Sequence, residues 1–247
     1  MVSIDFARFE AVVFDLDSTL TNTQDYPMIA SEWLLRKSGH YSEEEMSTYV
    51  RTLVIRYRQA IQEIVDGAPY RNPSDIVRSA MEYSLSVLKL DVAPELIEEA
   101  FYRFKSLHIE LSTVRDNVVE VLESLTAKGK KLGVISNSFE GHARIILTNL
   151  NLLHYFSTIL DGESIQTYKP SRIPFEQAAR NLNVDISKIV YIGDEYYADM
   201  VGAKRAGMTT IWINNRERSL SDLVEKHGVS STPDYILESV SDMVDMI

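Results

Sequence analysis

Apolar residues follow two different periods along this chain, and the change between them divides the sequence into three parts. Residues 12 to 21 read Val-Val-Phe-Asp-Leu-Asp-Ser-Thr-Leu-Thr, a β-branched and aromatic run that stops at Asp15 and Asp17. Such a run predicts a short buried strand. After Thr21 the period becomes helical. Ser42 followed by Glu45 forms a capping box. It opens a helix whose apolar face carries Met46, Tyr49, Val50, Leu53, Tyr57, Ala60, Ile61 and Ile64. Asn72-Pro73 pairs an N-cap with proline at the first helical position, with Ile76, Ala80, Tyr83 and Val87 as its stripe. Pro94 opens another helix through Leu96, Ala100, Phe104, Leu107 and Leu111. With a segment around Ile29, Trp33 and Leu34, these predict a four-helix bundle.

From about Thr113 strands and helices alternate. Helix 116–128 precedes strand 131–136; helix 139–149, a strand near 157–160 and helix 172–183 follow. Strand 189–194, helix 197–206, strand 209–213, helix 219–227 and a short strand near Tyr235 complete the series. Alternation without hairpin signals predicts an α/β domain, a Rossmann-like parallel sheet with helices on both faces. The helical block interrupts it just after its first strand. The expected organisation is a discontinuous core, 1–21 plus 113–247, with 22–112 as an inserted helical cap.

Composition narrows the function. Apolar residues make up 45% and charged residues 25%, ordinary for a soluble globular protein. The formal charge of -11 disfavours nucleic acid and anionic membranes as partners. No apolar stretch approaches the ~20 residues of a membrane span. The N-terminus enters a strand without the pattern of a secretion signal, so a cytoplasmic location is expected. Cysteine is absent, which excludes disulfides, thiolate catalysis and cysteine-ligated metals. The five histidines, His40, His108, His142, His154 and His227, show no metal spacing.

Three strand-like runs end in polar groups: Asp15 with Asp17, Ser136-Asn137-Ser138, and Asp194 with Asp199 five residues on. Strand alternation turns Asp15 and Asp17 toward one volume. Parallel sheets bind ligands beyond the carboxyl ends of their strands, which brings these distant segments together. Lys169-Pro170, in a loop before a helix, is a fourth contributor. Four carboxylates in one crevice raise one another's pKa unless a cation compensates. An all-oxygen set suits magnesium better than zinc. Magnesium, Lys169 and the Ser136 hydroxyl would together neutralise a phosphate dianion. Backbone N–H groups after Ser136, at an expected helix N-terminus, offer a further anion site. The set suits phosphoryl transfer.

In order and spacing, Asp15-Leu-Asp17-Ser-Thr19, Ser136-Asn137, Lys169-Pro170 and Gly193-Asp194 with Asp199 resemble the four-motif signature of the haloacid dehalogenase superfamily. The helical insertion resembles that family's cap. The resemblance implies that Asp15 is the nucleophile and Asp17 the general acid and base. Ser136, Asn137 and Lys169 would bind the phosphoryl group. Magnesium would be held by Asp15, Asp194 and the Asp17 backbone carbonyl, with Asp199 acting through water or orienting Lys169. Ser18 departs from the glycine common in family phosphatases, and fits there if the turn keeps φ negative. Asp17, Asp194 and Asp199 favour a phosphatase over the metal-free dehalogenases that resemble this chain in the cap.

The expectation is a magnesium-dependent phosphatase of a small phosphorylated metabolite; phosphoglycolate, sugar phosphates and nucleoside monophosphates all fit. The alternatives are a phosphomutase, a 2-haloacid dehalogenase and a silent metabolite-binding protein. Specificity is expected from the cap acting as a lid. Tyr70 and Arg71, in the loop 66–75, are the cap residues expected to face the crevice; Asn22 and Thr23 lie close enough in sequence to the first motif to touch substrate. Tyr49, Tyr57, Tyr83 and Phe104 are expected in the bundle core, Arg51 and Arg58 on its solvated face. Tyr196-Tyr197 either lines the site or starts a helix.

Overall fold

The apolar run before Asp15 is a strand, β1 (Ala11–Phe14), buried along its whole length in the computed structural model, which describes residues 4–23 and 25–247. Among the described residues seven more strands follow: β2 (Thr21–Asn22), β3 (Thr113–Val114), β4 (Lys131–Ser136), β5 (Thr158–Asp161), β6 (Ile189–Gly193), β7 (Thr209–Ile213) and β8 (Tyr235–Leu237). The helices are α1 (Tyr26–Lys37), α2 (Glu43–Val65), α3 (Pro73–Val87), α4 (Pro94–Glu110), α5 (Val118–Ala127), α6 (His142–Asn149), α7 (Gly162–Ile165), α8 (Ile173–Leu182), α9 (Gly202–Ala206) and α10 (Leu220–His227). The chain divides into two compact units, Met1–Asn22 with Thr113–Ile247, and Thr23–Ser112.

The first unit is a Rossmann-like α/β fold. Its six-stranded sheet runs β5-β4-β1-β6-β7-β8, every pair parallel. One face packs Ala11, Val13, Ile135 and Tyr191 against Phe175, Ala178 and Leu182 of α8 and Ala203 of α9. Strand parity turns Val12, Phe14, Leu132 and Val134 to the opposite face. Right-handed crossovers put α5 and α6 there, with Val121, Leu122, Ile146 and Leu147 buried. After β1 the chain builds outward through β4 and β5, then returns to place β6 on the other flank of β1. The strand order reverses between β1 and β6, and the carboxyl ends there form the crevice such sheets use for ligands. A feature with no signal in the hydrophobic pattern is the antiparallel pair β2–β3, which joins the two chain crossings: Thr21 faces Val114 and Asn22 faces Thr113.

The second unit contains α1–α4. The Ser42 side chain accepts from the Glu45 backbone N–H (3.1 Å) and Asn72 from that of Asp75 (2.8 Å), so both expected N-caps form. In α2, Met46, Tyr49, Leu53, Ala60, Ile61 and Ile64 are buried, while Tyr57 is half-buried. Arg51 and Arg58 are exposed. Phe104 is buried, but Tyr83 is exposed, contrary to the sequence expectation. The buried line of α3 runs through Ile76, Val77, Ala80, Met81, Ser84 and Leu85, rotated about a quarter turn from the stripe through Tyr83. The Arg56 guanidinium lies over the exposed Tyr83 ring, 5.8 Å from its centroid. Among the described residues, no helix is long and apolar enough to cross a membrane.

Candidate active site

Asp15 extends β1 by one residue, its N–H donating to the Ile192 carbonyl of β6 at 2.8 Å. The chain then curls around the Leu16 carbonyl, which accepts from the N–H groups of Thr19 (3.3 Å), Leu20 (2.9 Å) and Thr21 (3.1 Å), and from the Thr21 hydroxyl (3.2 Å). This tight curl sets Ser18 at φ +64, in the left-handed region, so the condition of a negative φ is not met. Closing four bonds on one carbonyl leaves the turn no extended alternative. The Ser18 carbonyl accepts from the Asn215 side chain at 3.2 Å, which ties the turn to the loop after β7.

Ser136 ends β4, buried, with its hydroxyl donating to Asp17 Oδ2 at 3.5 Å and accepting from the Ser138 N–H at 3.1 Å. The Asn137 side chain is turned to Lys169. Its amide donates to the Lys169 carbonyl (3.0 Å) and accepts from the Lys169 N–H (2.9 Å). A side chain so engaged clamps the lysine's backbone. Lys169 then runs into the interior, only 3% exposed. Its Nζ reaches Asp15 Oδ1 (2.5 Å), Asp199 Oδ1 (2.7 Å), the Ile135 carbonyl (3.0 Å) and the Tyr191 hydroxyl (3.0 Å).

Asp199 lies where helix 197–206 was expected. The segment Tyr196–Val201 is instead a π-helical turn that passes into α9. Such widened turns recur at functional sites. Here the turn lays the Asp199 carboxylate against the end of β6. Oδ2 accepts from the Glu195 N–H (2.9 Å), and Oδ1 from Lys169 and the Tyr191 hydroxyl (2.9 Å). Gly193 is required for this approach, since a Cβ there would stand 2.4 Å from Asp199 Oδ2. Asp194 follows, its carbonyl accepting from Trp212 Nε1 at 3.0 Å.

Asp15, Asp194 and Asp199 are all buried and each offers an oxygen within 4.8 Å of the others. Burial, then the neighbouring carboxylates, raises Asp15 well above the usual range, against the pull of Lys169. Burial and then Asp199 push Asp194 up to about 7, against the pull of Arg216. Burial would lower the Lys169 ammonium, but Asp15 and Asp199 more than reverse that, so it stays charged. Lys169 and Arg216 bring two cations to this all-oxygen set, and Arg216 also serves Glu195, so the three buried carboxylates remain short of positive charge. That donor set fits a hard divalent cation such as magnesium.

The other residues expected from the sequence have contacts of their own. Asn22 is exposed and its side chain accepts from Arg115 at 3.2 Å, next to the β2–β3 pair. Arg71 pairs with Glu63 at 2.6 Å and donates to the Ala60 carbonyl at 3.4 Å, within the helical unit. Tyr70 is half-buried and Thr23 buried. Tyr196 starts the π turn and does not line the site: its ring is buried edge-on to Trp212 and its hydroxyl donates to the Ser231 carbonyl at 3.1 Å.

Sequence reasoning missed Tyr191 and Arg216. Tyr191 had a signal, a hydroxyl within an otherwise aliphatic buried strand, two residues before Gly193 and on the same side. Arg216 follows β7 in Asn214-Asn-Arg-Glu-Arg218, a charged cluster at the carboxyl end of a strand. Its Nη2 lies 3.2 Å from Asp194 Oδ2.

Residues 12–213 match the haloacid dehalogenase-like hydrolase family. A glyceraldehyde 3-phosphate phosphatase of Methanopyrus kandleri is 25% identical over 245 residues, covering 96% of this chain and 97% of its own. Pyrophosphatase PpaX of Bacillus velezensis is 26% identical over 240 residues, covering 96% and 95%. Among solved structures, the HAD-hydrolase YfnB from Bacillus subtilis, bound to magnesium, shares the fold with a TM-score of 0.76 at 18% identity, covering 97% of this chain and 98% of its own. The match runs from β1 through β7 and spans every element that carries the acidic cluster and Lys169; the chain belongs to the haloacid dehalogenase-like hydrolases.

Proposed function

We propose that this protein is a magnesium-dependent phosphatase that hydrolyses a small phosphorylated metabolite through an aspartyl-phosphate on Asp15. The observation that carries this reading is the contact of Lys169 Nζ with both Asp15 and Asp199, beside Asp194, at the carboxyl ends of β1 and β6. Relatives named as phosphatases of glyceraldehyde 3-phosphate, pyrophosphate and phosphoglycolate support it.

Lys169 holds Asp15 Oδ1, which fixes the carboxylate and leaves Oδ2 to attack phosphorus. As that bond forms, the bond from phosphorus to the leaving oxygen breaks, and the Asp17 carboxyl protonates that oxygen. Asp17 then takes a proton from water; the water oxygen bonds to phosphorus and Asp15 is released. Ser136 hydrogen-bonds Asp17 and would hold a phosphoryl oxygen through its hydroxyl. Asp15, Asp194 and the Asp17 carbonyl would hold magnesium, which supplies positive charge to the transferring phosphoryl oxygens. Both Asp199 oxygens are engaged by Lys169, Tyr191 and the Glu195 N–H, so Asp199 orients the lysine.

The test is phosphate release from a panel of phosphometabolites with magnesium, by the wild type and Asp15→Asn. The variant is expected to fold and lose turnover. Wild-type turnover in Asp15→Asn, or undiminished turnover in excess chelator, would overturn the reading.

A further inference from the structure

The loop after β7 is built to present one guanidinium. Asn214 closes it at both ends, its side chain accepting from the Arg218 N–H (2.9 Å) and donating to the Arg218 carbonyl (3.0 Å). Asn215 staples it to the Ser18 turn. Arg218 grips Glu195 with two nitrogens, at 3.3 and 3.1 Å, and so neutralises that carboxylate. Arg216, between these anchors, holds only acids: Asp194 at 3.2 Å and, more distantly, Glu195 at 3.7 Å.

A divalent cation and a guanidinium compete for the same Asp194 carboxylate. If Asp194 serves a cation, Arg216 keeps only a distant share of a glutamate already paired. It is 39% exposed on its side chain, whereas Lys169 is buried and spent on internal acceptors. Arg216 can therefore reach parts of a substrate beyond the transferred phosphoryl, as Lys169 cannot. A guanidinium fork matches paired anionic oxygens.

We propose that Arg216 is a specificity-determining residue that leaves Asp194 for a second anionic group on the substrate, selecting compounds in which a carboxylate or another phosphate lies beside the transferred phosphoryl. This rests on the phosphatase reading and names the substrate class for that same site.

The experiment compares wild type, Arg216→Gln and Arg216→Lys on pyrophosphate, 2-phosphoglycolate and p-nitrophenyl phosphate, which lacks a second anion. In Arg216→Gln, kcat/KM for the first two is expected to fall at least about tenfold further than for the third, chiefly through KM, the size of one charge-assisted hydrogen bond. Arg216→Lys should recover part of the loss. A difference between pyrophosphate and phosphoglycolate tells whether phosphate or carboxylate is preferred. Calorimetric titration without substrate should show magnesium binding severalfold tighter to Arg216→Gln, because its competitor is gone. Equal losses on all three substrates, or unchanged magnesium affinity, would overturn the assignment. Absence of phosphate release from any substrate by the wild type would instead overturn the phosphatase reading, and this inference with it.

Discussion

Replacing Gly193 with alanine tests whether the site depends on how closely Asp199 approaches β6. The new Cβ would meet Asp199 Oδ2 at 2.4 Å, Cγ at 2.5 Å and Cβ at 2.8 Å. Ordinary contact begins near 3.4 Å, so the carboxylate must retreat by about 1 Å. It has no slack to do so, being held by Lys169 (2.7 Å), Tyr191 (2.9 Å) and the Glu195 N–H (2.9 Å). Overpacking of this kind costs about 1–3 kcal/mol of stability. The larger effect should be catalytic: once Asp199 moves, Lys169 loses one of its anchors, and a misplacement of about 1 Å lowers turnover about 100-fold. Gly133→Ala is the control, since its Cβ would meet Thr158 Cγ2 at 2.8 Å, in mid-strand and away from the carboxylates. Urea denaturation and magnesium-dependent phosphate release measure the two effects separately. Both variants should be destabilised, and only Gly193→Ala should lose turnover out of proportion. Wild-type turnover in Gly193→Ala, or equal catalytic losses in the two, would refute the reasoning.

Asp17→Asn should slow hydrolysis of an alkyl phosphate far more than that of p-nitrophenyl phosphate, whose leaving group needs little protonation; equal losses, by steady-state kinetics, would remove Asp17 from the role of acid. Ser18→Gly should keep or slightly raise stability, because the φ of +64 strains a side-chain-bearing residue by about 1–2 kcal/mol, offset in part by the flexibility of unfolded glycine. Ser18→Val should lose more than about 1 kcal/mol in the same denaturation assay, and equal tolerance of both would contradict the turn geometry. Asp194 has its folded pKa raised from 3.8 to about 7, so its contribution to stability is complete below 3.8 and is lost as pH rises through 7. Three units amount to about 4 kcal/mol at most, with Asp15 acting in the same direction and the half-buried His227, lowered by burial, giving a smaller opposite slope. The chelated protein should therefore be less stable at pH 8 than at pH 5, and magnesium should raise Tm more at pH 8; a flat or rising profile in chelator would count against the cluster.

Local patterns carried most of the fold. Strand periodicity at Val12–Phe14 and Ile189–Gly193, and the caps at Ser42 and Asn72, depend on neighbours in sequence, and they appear where the pattern puts them. The ends of helices were less legible. Asn117 and Gly141 adopt left-handed backbone and delay α5 and α6, a choice governed by the loop before each helix. The β2–β3 pair was invisible, because two residues a side are too few to show alternation.

The site was legible in its members and not in their division of labour, since each task depends on a partner far along the chain. Asn137 looked like a phosphate ligand because it follows Ser136; it serves Lys169, 32 residues on. The space that Gly193 leaves is filled by Asp199. Both belong to one arrangement: Asn137 fixes the backbone of Lys169, Gly193 admits Asp199, and Asp199 with Tyr191 fixes the ammonium against Asp15. In the proposed mechanism a lysine held at both ends leaves Asp15 one bound oxygen and one for attack. In that mechanism Asp15 is thus a nucleophile only in company with Lys169 and the four residues that place it, Asn137, Gly193, Tyr191 and Asp199, which have no acid–base task of their own. Loss of any of these should lower the rate without changing which atoms react, whereas loss of Asp15 should end the chemistry.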